Sequence, residues 1–381
     1  MRTVDVLVIG LGPGGASAAR RAAEAGHSVL GVDRRRVLGE PVQCAEFIPT
    51  PMGAYAREAG IVEQGITGMR TLLPSGTEQA SAFPGLMINR AEFDRALARE
   101  AERNGAELWT ASRMTGLDPV ARVATIRRQG SELPVGYRVL VAADGPHSTT
   151  AARLGLPQLE TLLTRQYTVP LQQPLDDTVI WLSGAYPGGY AWLFPKGTTA
   201  NLGLGIDPRL AADLKAPLER LHRDLVELGW VGPEVQQRTG GAIPVGGLRA
   251  RLHHERALFV GDAAGLTHPI TGAGIAAAVI SGELAGRAAA DFLDGDTEAF
   301  DAYEEDLRDQ FDVALTRAVQ RRRALFPLWH TAAADDDATQ RRGWVAFEEY
   351  FDPSRMPGAS TARNLQLHPT RNAPQPAEVL T

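Results

Sequence analysis

Gly10-Leu11-Gly12-Pro13-Gly14-Gly15 follows the apolar run Val4-Asp5-Val6-Leu7-Val8-Ile9 and opens an Ala/Arg-rich stretch from Ala16 to Gly26. A second apolar run, Val29-Leu30-Gly31-Val32, then ends on Asp33. The two runs read as buried parallel strands and the stretch between them as a helix. Strand, glycine turn, helix, strand and acidic tip is the order that holds an ADP moiety. Gly10 permits the tight turn, and Gly12 lets the backbone approach a pyrophosphate. Gly15 lets helix and strand pack closely, and Asp33 accepts a hydrogen bond from a ribose hydroxyl. The helix N-terminus, with Pro13 and Gly14 at its start, favours phosphate charge. Arg34, beside the acid, joins the same nucleotide set.

Which dinucleotide is decided far downstream. Arg256-Ala257-Leu258-Phe259-Val260-Gly261-Asp262-Ala263-Ala264-Gly265 reads as a strand running into a small-residue turn with one acid. His268-Pro269-Ile270-Thr271-Gly272-Ala273-Gly274-Ile275 follows, then an Ala-rich helix from Ala276 to about Leu293. A second glycine turn at a second helix N-terminus suits a flavin. Asp262 can bond the ribityl chain, and the amides from Gly272 through Ala273 and Gly274 to Ile275 can face the carbonyl edge of the ring. Met87-Ile88-Asn89-Arg90 starts another helix and offers Arg90. Val139-Leu140-Val141-Ala142-Ala143-Asp144-Gly145 is a further strand ending in an acid–glycine turn. Asp144, Gly145 and Met114 complete the expected cofactor set, which is that of FAD. Each piece alone also reads as an ordinary capped helix or strand end. Their order is what selects the flavin.

These motifs resemble the FAD-dependent enzymes with the para-hydroxybenzoate hydroxylase type of fold, and within them the geranylgeranyl reductase family. Three stretches carry the closer likeness. Gly39-Glu40-Pro41-Val42-Gln43-Cys44-Ala45-Glu46 is similar to that family's Pro-Val-x-Cys-x-Glu segment. Pro187-Gly188-Gly189-Tyr190-Ala191-Trp192-Leu193-Phe194-Pro195 is close to its Tyr-x-Trp-x-Phe-Pro segment. The third is the Gly261–Gly265 turn with its continuation through Ile275. The resemblance spans residues 1 to about 293. It implies that Cys44 and Ala45 lie against the flavin and that the middle of the chain roofs a substrate cavity.

The expected fold is α/β: a discontinuous Rossmann-type FAD-binding domain, an inserted antiparallel-sheet substrate domain and a helical C-terminal region. The segments are 1–80, 88–155 and 255–300 for the cofactor, 156–254 for the sheet, and 301–381 for helix and tail. Short apolar runs between Gly-Pro turns, such as Arg165–Val169 and Thr199–Ile206, read as strands of that sheet. Leu218–Leu228 and 298–326 read as helices, and the Pro/Asn/Ser-rich tail after Asp352 as extended or frayed.

The 381 residues carry a formal charge of −6 and 44% apolar residues, ordinary for a globular enzyme and against nonspecific nucleic-acid binding. One cysteine excludes an intrachain disulfide and fits a reducing compartment. The first strand begins at Val4 with no signal ahead of it, and no apolar run approaches the ~20 residues of a membrane span. The expected location is the cytoplasm, with peripheral membrane contact open because an isoprenoid or quinone substrate lives in lipid. No metal ligand cluster is expected. The chain shows no second glycine fingerprint for a nicotinamide, so NAD(P)H docks transiently or a ferredoxin supplies electrons.

Cys44, Glu46 and His268 are the candidate catalytic residues. The thiol can gate substrate, tune the flavin or relay a proton, and reads equally as a small buried residue. Glu46 and His268 are candidate proton donors; the alternatives are a loop acid and a structural hydrogen bond. Tyr190, Trp192 and Phe194 alternate along one strand and share a face, either walling an apolar substrate tunnel or packing as core. Three functions fit these residues. One is a reductase delivering hydride to an isoprenoid double bond. Another is a flavin monooxygenase acting on an aromatic molecule or on a partner protein's side chain. The last is a non-catalytic flavoprotein. A halogenase needs an active-site lysine early in the chain; the only lysines are Lys196 and Lys215.

Overall fold

The computed structural model describes residues 1–352. The expectation for the tail after Asp352 lies outside these residues. Two eight-stranded sheets organise the chain. In the first, the parallel strands Ala257–Phe259, Ser131–Ala142, Arg2–Ile9, Val29–Val32 and Glu107–Trp109 lie side by side in that order. Four distant stretches of chain therefore meet in one sheet, as the discontinuous cofactor unit requires. Alternation along Arg2–Ile9 explains its placement. Val6 and Val8 pack with the alanines of the Pro13–Glu24 helix. Leu7 and Ile9 face Leu30, Val32 and the hairpin strands Ser112–Asp118 and Val123–Arg128. With both faces covered, a nearly continuous apolar run is the stable sequence for the strand.

The helix Ile275–Leu293 lies directly on Pro13–Glu24. Glycine makes this approach achievable: a Cβ at Gly282 would stand 2.1 Å from the Gly14 carbonyl oxygen, and one at Gly286 2.5 Å from that of Ala18. The two helix N-termini are thus held side by side at the carboxyl ends of the parallel strands.

The second sheet runs Gln237–Pro244, Thr161–Pro170, Thr199–Ile206, Ala191–Lys196, Asp177–Trp181, Val62–Leu72, Glu78–Ile88, Phe47–Pro49. This corrects two expectations. Residues 47–49, 62–72 and 78–88 belong to this sheet, so the segment boundary at 80 falls inside its strand Glu78–Ile88. The sheet is not wholly antiparallel either, because Asp177–Trp181 pairs parallel with Val62–Leu72. That pairing joins residues more than a hundred positions apart, and no local pattern in 62–88 announces its partner. One face of the sheet carries Val179, Leu193, Leu202 and Leu204 against the helix Lys215–Glu227. The other face looks toward the cofactor unit.

The helix Ala299–Leu325 returns along the first sheet, where the Tyr303 hydroxyl donates to the Phe259 carbonyl at 2.5 Å. Beyond it, residues 326–352 fold back onto the second sheet. Asp335 accepts from the Gly184 amide at 2.7 Å and the Ser183 hydroxyl at 3.1 Å. Among the described residues no helix is long and apolar enough to cross a membrane, and no metal-ligand cluster occurs.

Candidate active site

The glycine turn has the shape its spacing implies. Gly10 takes φ +96°, and a Cβ there would lie 2.2 Å from the Ala143 carbonyl oxygen. A Cβ at Gly15 would overlap the Gly10 carbonyl at 1.9 Å, and one at Gly14 would press on Val260 and Ala278. At Gly12 nothing stands within 4 Å. Its lack of a side chain therefore serves no packing need; it keeps open a hollow at the N-terminus of the Pro13–Glu24 helix, where amides lack intrahelical acceptors. Asp33 is buried at the strand tip. One of its oxygens accepts from the Leu11 amide at 2.9 Å and the other from the Arg35 amide at 2.8 Å. The acid thereby clasps the turn and keeps lone pairs for a hydroxyl. Arg34 is exposed beside it.

The second turn lies across the sheet's carboxyl edge. Gly261 and Gly265 bracket a one-turn helix at positive φ, and the Thr267 hydroxyl donates to Asp262. Burial pushes the Asp262 carboxyl up, against the hydroxyl's opposing effect. Gly272 has φ +71°. Ala273 donates its amide to the Thr271 hydroxyl at 3.3 Å. Gly274 caps the Ile275–Leu293 helix without a side-chain partner, so the first amides of that helix stay open. Arg90, at the start of the Asn89-capped helix Arg90–Arg103, bonds Asp94 at 2.7 Å and contributes to the charge around both Asp262 and Cys44.

The Pro41–Glu46 loop is pinned between the two sheets. Gln166 donates to the Cys44 carbonyl at 3.0 Å, and Asn201 to that of Ala45 at 3.3 Å. Burial pushes the Cys44 thiol up, which keeps it protonated; the nearby Arg90 opposes this. The Glu46 amide points at the sulfur, 3.2 Å away.

Glu46 differs from its expected role. Its carboxylate is buried and accepts from the Arg90 amide at 2.9 Å, from Asn201 at 2.9 Å and from Lys196 at 2.9 and 3.0 Å. A carboxylate so fully bonded and paired is a pin between loop, helix and sheet; it is not a free proton donor. Glu46 itself takes φ 71°, a conformation uncommon for a residue with a side chain, which those partners hold. Lys196, left aside in the sequence, is its counter-ion from 150 residues away.

His268 also takes another role. Its Nδ1 accepts from the Ile270 and Thr271 amides at 3.3 and 3.2 Å. Burial, with Arg317 adding to it, pushes the imidazole down to about 4. The ring is neutral at pH 7 and braces the turn. Asp144 is a brace as well. It accepts from the Ser148, Thr149 and Thr150 hydroxyls and the Thr150 amide at 2.6 to 3.0 Å, holding Ser148, the cap of the Thr149–Arg153 helix, so its carboxylate is turned to its own turn. Gly145 at φ +83° shapes that turn over open space. Met114 is buried in the cluster with Leu7 and Leu30, on the strand whose Ser112 amide donates to the Asp33 carbonyl at 2.8 Å.

Tyr190, Trp192 and Phe194 do share a face, the one turned toward the Cys44 loop, with Ala45 and Ile270 in the same cluster. Of the three, Tyr190 lines a cavity. Its hydroxyl donates to the Thr271 carbonyl at 2.5 Å, and burial keeps the phenol protonated. Trp192 is packed as core and donates to Gln166 at 3.1 Å; Phe194 meets Phe47 edge-on at 6.2 Å. The cavity, about 420 Å³, lies beyond Tyr190 and is walled by Ile270, Val245, Leu325, Trp329 and Trp344. Its far wall comes from the C-terminal region, to which the sequence assigned no role. Trp344 lies against Tyr190 with ring centroids 4.7 Å apart. Gln166, Lys196, Asn201 and Trp344 were all missed. Only the shared strand face of Gln166, Asn201 and Trp192 could have signalled them.

Comparison with known proteins agrees with this geometry. Residues 3–179 match the FAD binding domain family, 163–227 the geranylgeranyl reductase catalytic domain and 208–346 the lycopene cyclase protein family. The chain is 33% identical over 339 residues to the digeranylgeranylglycerophospholipid reductase of Methanocella arvoryzae, covering 82% of this chain and 85% of the relative. It is 36% identical over 343 residues to digeranylgeranylglycerophospholipid reductase 1 of Methanopyrus kandleri, covering 81% and 88%. A geranylgeranyl bacteriochlorophyll reductase-like protein of Thermoplasma acidophilum superposes with a TM-score of 0.81 at 26% identity, covering 93% of this chain and 95% of that one. A flavin-dependent halogenase shares the fold, with a TM-score of 0.71 at 17% identity over 93% and 71%. With its two glycine turns, its clasped acid and these relatives, the chain belongs to the geranylgeranyl reductase family and is an FAD-dependent oxidoreductase.

Proposed function

We propose that the protein saturates carbon–carbon double bonds of an isoprenoid chain carried on a lipid. The observation that carries this reading is the cavity beyond Tyr190, whose wall of Ile270, Val245, Leu325, Trp329 and Trp344 is apolar and whose remaining lining includes Arg209 and Arg322. Its volume, about 420 Å³, suits a segment of a branched hydrocarbon. Arg323, exposed at its rim, suits the polar end of an amphiphile. The relatives named as lipid reductases support the same choice over oxygenation.

In this reading Gly10, Gly12, Pro13, Gly14, Gly15, Asp33 and Arg34 hold the ADP half of FAD. Arg90, Asp262 and the amides from Gly272 to Ile275 hold its flavin half. FAD held there would, in its reduced form, supply the hydride and its two electrons for one alkene carbon, while the other carbon takes a proton. The chain's part is to hold that proton and to keep water out. Cys44 keeps one at Sγ, because burial raises the thiol and the loop pins it beside Arg90. Tyr190, Trp344 and Ile270 form the apolar wall that positions the chain and excludes water.

The test is anaerobic photoreduction of the FAD-loaded protein followed by a geranylgeranyl lipid. Reoxidation of the flavin with a gain of two mass units per saturated bond is the expected result. Trp344→Ala is expected to shift preference among chain lengths in a graded way, since each buried methylene contributes only ~1 kcal/mol. Reoxidation by air alone, through a long-lived oxygenated flavin spectrum and with an inert lipid, overturns the reading.

A further inference from the structure

Pro187-Gly188-Gly189 leads into the strand behind Tyr190, and both glycines are required there. Gly188 takes φ +77°, and a Cβ on it would lie 2.5 Å from the Asp207 Cβ. A Cβ at Gly189 would stand 2.1 Å from the Gly205 carbonyl oxygen. The turn is thus pressed onto the end of the strand Thr199–Ile206, and the Asp207 amide donates to the Pro187 carbonyl at 2.9 Å. The Asp207 side chain is fully buried.

Arg322 meets this point from the cofactor side. It stands in the last turn of the helix Ala299–Leu325, whose Phe300, Tyr303 and Leu307 pack into the core of the first sheet. One terminal nitrogen of its guanidinium donates to the Gly188 carbonyl at 2.5 Å and to the Pro269 carbonyl at 3.4 Å. The other donates to Asp207 at 3.0 Å. Pro269 begins the turn whose Thr271 carbonyl accepts from the Tyr190 hydroxyl. One side chain therefore bonds the turn ahead of Tyr190, the end of a second-sheet strand and the turn expected at the flavin's edge. A guanidinium can do this because its donors lie in a rigid planar fork; an ammonium is a compact point charge.

A ligand site for an anion does not account for the arrangement. Asp207 also pairs with Arg209 at 2.6 Å, and Arg209 with Glu160. Two cations face two carboxylates, so the cluster is neutral. Net stability is a weak reason as well. Burial pushes the Arg322 guanidinium down to about 10, against the opposing effect of Asp207, and a buried pair of this kind often stabilises no more than apolar residues of the same volume. Placement is what the pair supplies. Arg322 lines the cavity together with Gly188, Gly189, Tyr190 and Ile270, the residues whose backbones it holds or adjoins.

We propose that Arg322 is a positioning residue: it fixes the Gly188–Tyr190 wall against the Pro269–Gly274 turn and so sets how closely an alkene in the cavity approaches the flavin. The inference rests on the reductase reading and adds to it a residue that acts through the cavity wall without touching the reacting atoms.

The experiment compares FAD-loaded wild type, Arg322→Lys and Arg322→Met without oxygen. Each is reduced with dithionite and mixed with a geranylgeranyl lipid over a range of concentrations in a stopped-flow instrument. This separates the limiting rate of flavin reoxidation from the half-saturating lipid concentration. The limiting rate is expected to fall about tenfold to a hundredfold in both variants, the loss that a displacement of about 1 Å produces. FAD content and the half-saturating concentration are expected to stay near those of wild type. Arg322→Lys keeps the charge, so its loss of rate assigns the effect to the fork. Arg209 still pairs with Asp207 in Arg322→Met, so no carboxylate is stranded; should that variant not fold, Arg322→Lys carries the test. A wild-type rate in Arg322→Lys, or a change confined to lipid affinity or FAD content, overturns the proposal. Hydrogen–deuterium exchange supplies a readout that needs no turnover. Segments 187–190 and 268–274 are expected to exchange faster together in Arg322→Lys, with Arg2–Ile9 unchanged, and unaltered exchange in the two segments also overturns the proposal. A lipid that fails to reoxidise wild type sinks the reductase reading instead, and the exchange result then still decides whether Arg322 joins the two segments.

Discussion

Individual acids in this chain divide by what already bonds them. Asp33 and Asp262 keep acceptor capacity toward the glycine hollows, whereas Asp144 spends its carboxylate on four groups of its own turn. Asp262→Ala is therefore expected to lower the FAD retained on purification, read from the ratio of flavin to protein absorbance. Asp144→Ala is expected to keep most of its FAD and instead lower the melting temperature, since the Ser148 cap and the Thr150 amide lose the acceptor that holds them, at about 1–2 kcal/mol. Equal flavin loss in the two variants would contradict this division. His268 makes a pH prediction. Its folded pKa of about 4 lies below the ordinary 6.5, because burial and then Arg317 disfavour its charged form. Between pH 6.5 and 4 the unfolded chain binds a proton that the native ring does not, so stability falls as pH drops through that window and levels off below it. The contribution is at most about 3 kcal/mol. His268→Asn keeps an acceptor for the Ile270 and Thr271 amides, and its urea-unfolding free energy should lose less between pH 6.5 and 4 than wild type's. An unchanged pH slope would mean that the ring does not resist protonation.

Helices and turns are where the glycine pattern acts, and its members have different purposes. At Gly12 an added side chain meets open space, whereas at Gly282 it would enter the Gly14 backbone at 2.1 Å. Gly12→Val is expected to give a folded protein with native circular dichroism that copurifies without FAD. Gly282→Leu is expected to express poorly or melt much earlier, because the two helices cannot approach. A Gly12→Val variant with stoichiometric FAD would remove residues 10–15 from the phosphate site. The strand–turn–helix units were legible because each is local: period, glycine spacing and the acid at the tip all lie within about thirty residues. The strands at 62–72 and 78–88 were legible only as chain, because their parallel neighbour at 177–181 is distant in sequence.

The chain crosses between the two sheets several times, and the Glu46–Lys196 pair ties the Pro41–Glu46 loop to the second sheet. Glu46→Gln leaves the partly buried Lys196 without its counter-charge and is expected to cost about 3 kcal/mol, read by urea unfolding. Adding Lys196→Met is expected to recover much of that loss, because it removes the stranded charge. Strictly additive losses would show that the pair is not a structural tie. What the sequence alone determined was the chemistry that depends on near neighbours: two glycine turns, a clasping acid, an Arg-bearing helix start, one cysteine on a loop, and hence a flavin. It also placed Tyr190, Trp192 and Phe194 on one face, since strand alternation is a property of the backbone. The tertiary structure decided what each side chain is free to do. It gave Glu46 and His268, expected as candidate proton donors, and Asp144, expected as a cofactor contact, bonded partners within the protein. It brought Trp344 against Tyr190 to close a cavity. Reactivity depends on burial and on which partners occupy a group's lone pairs. Those are settled by contacts between residues as far apart as 46 and 196, which spacing along the chain does not encode.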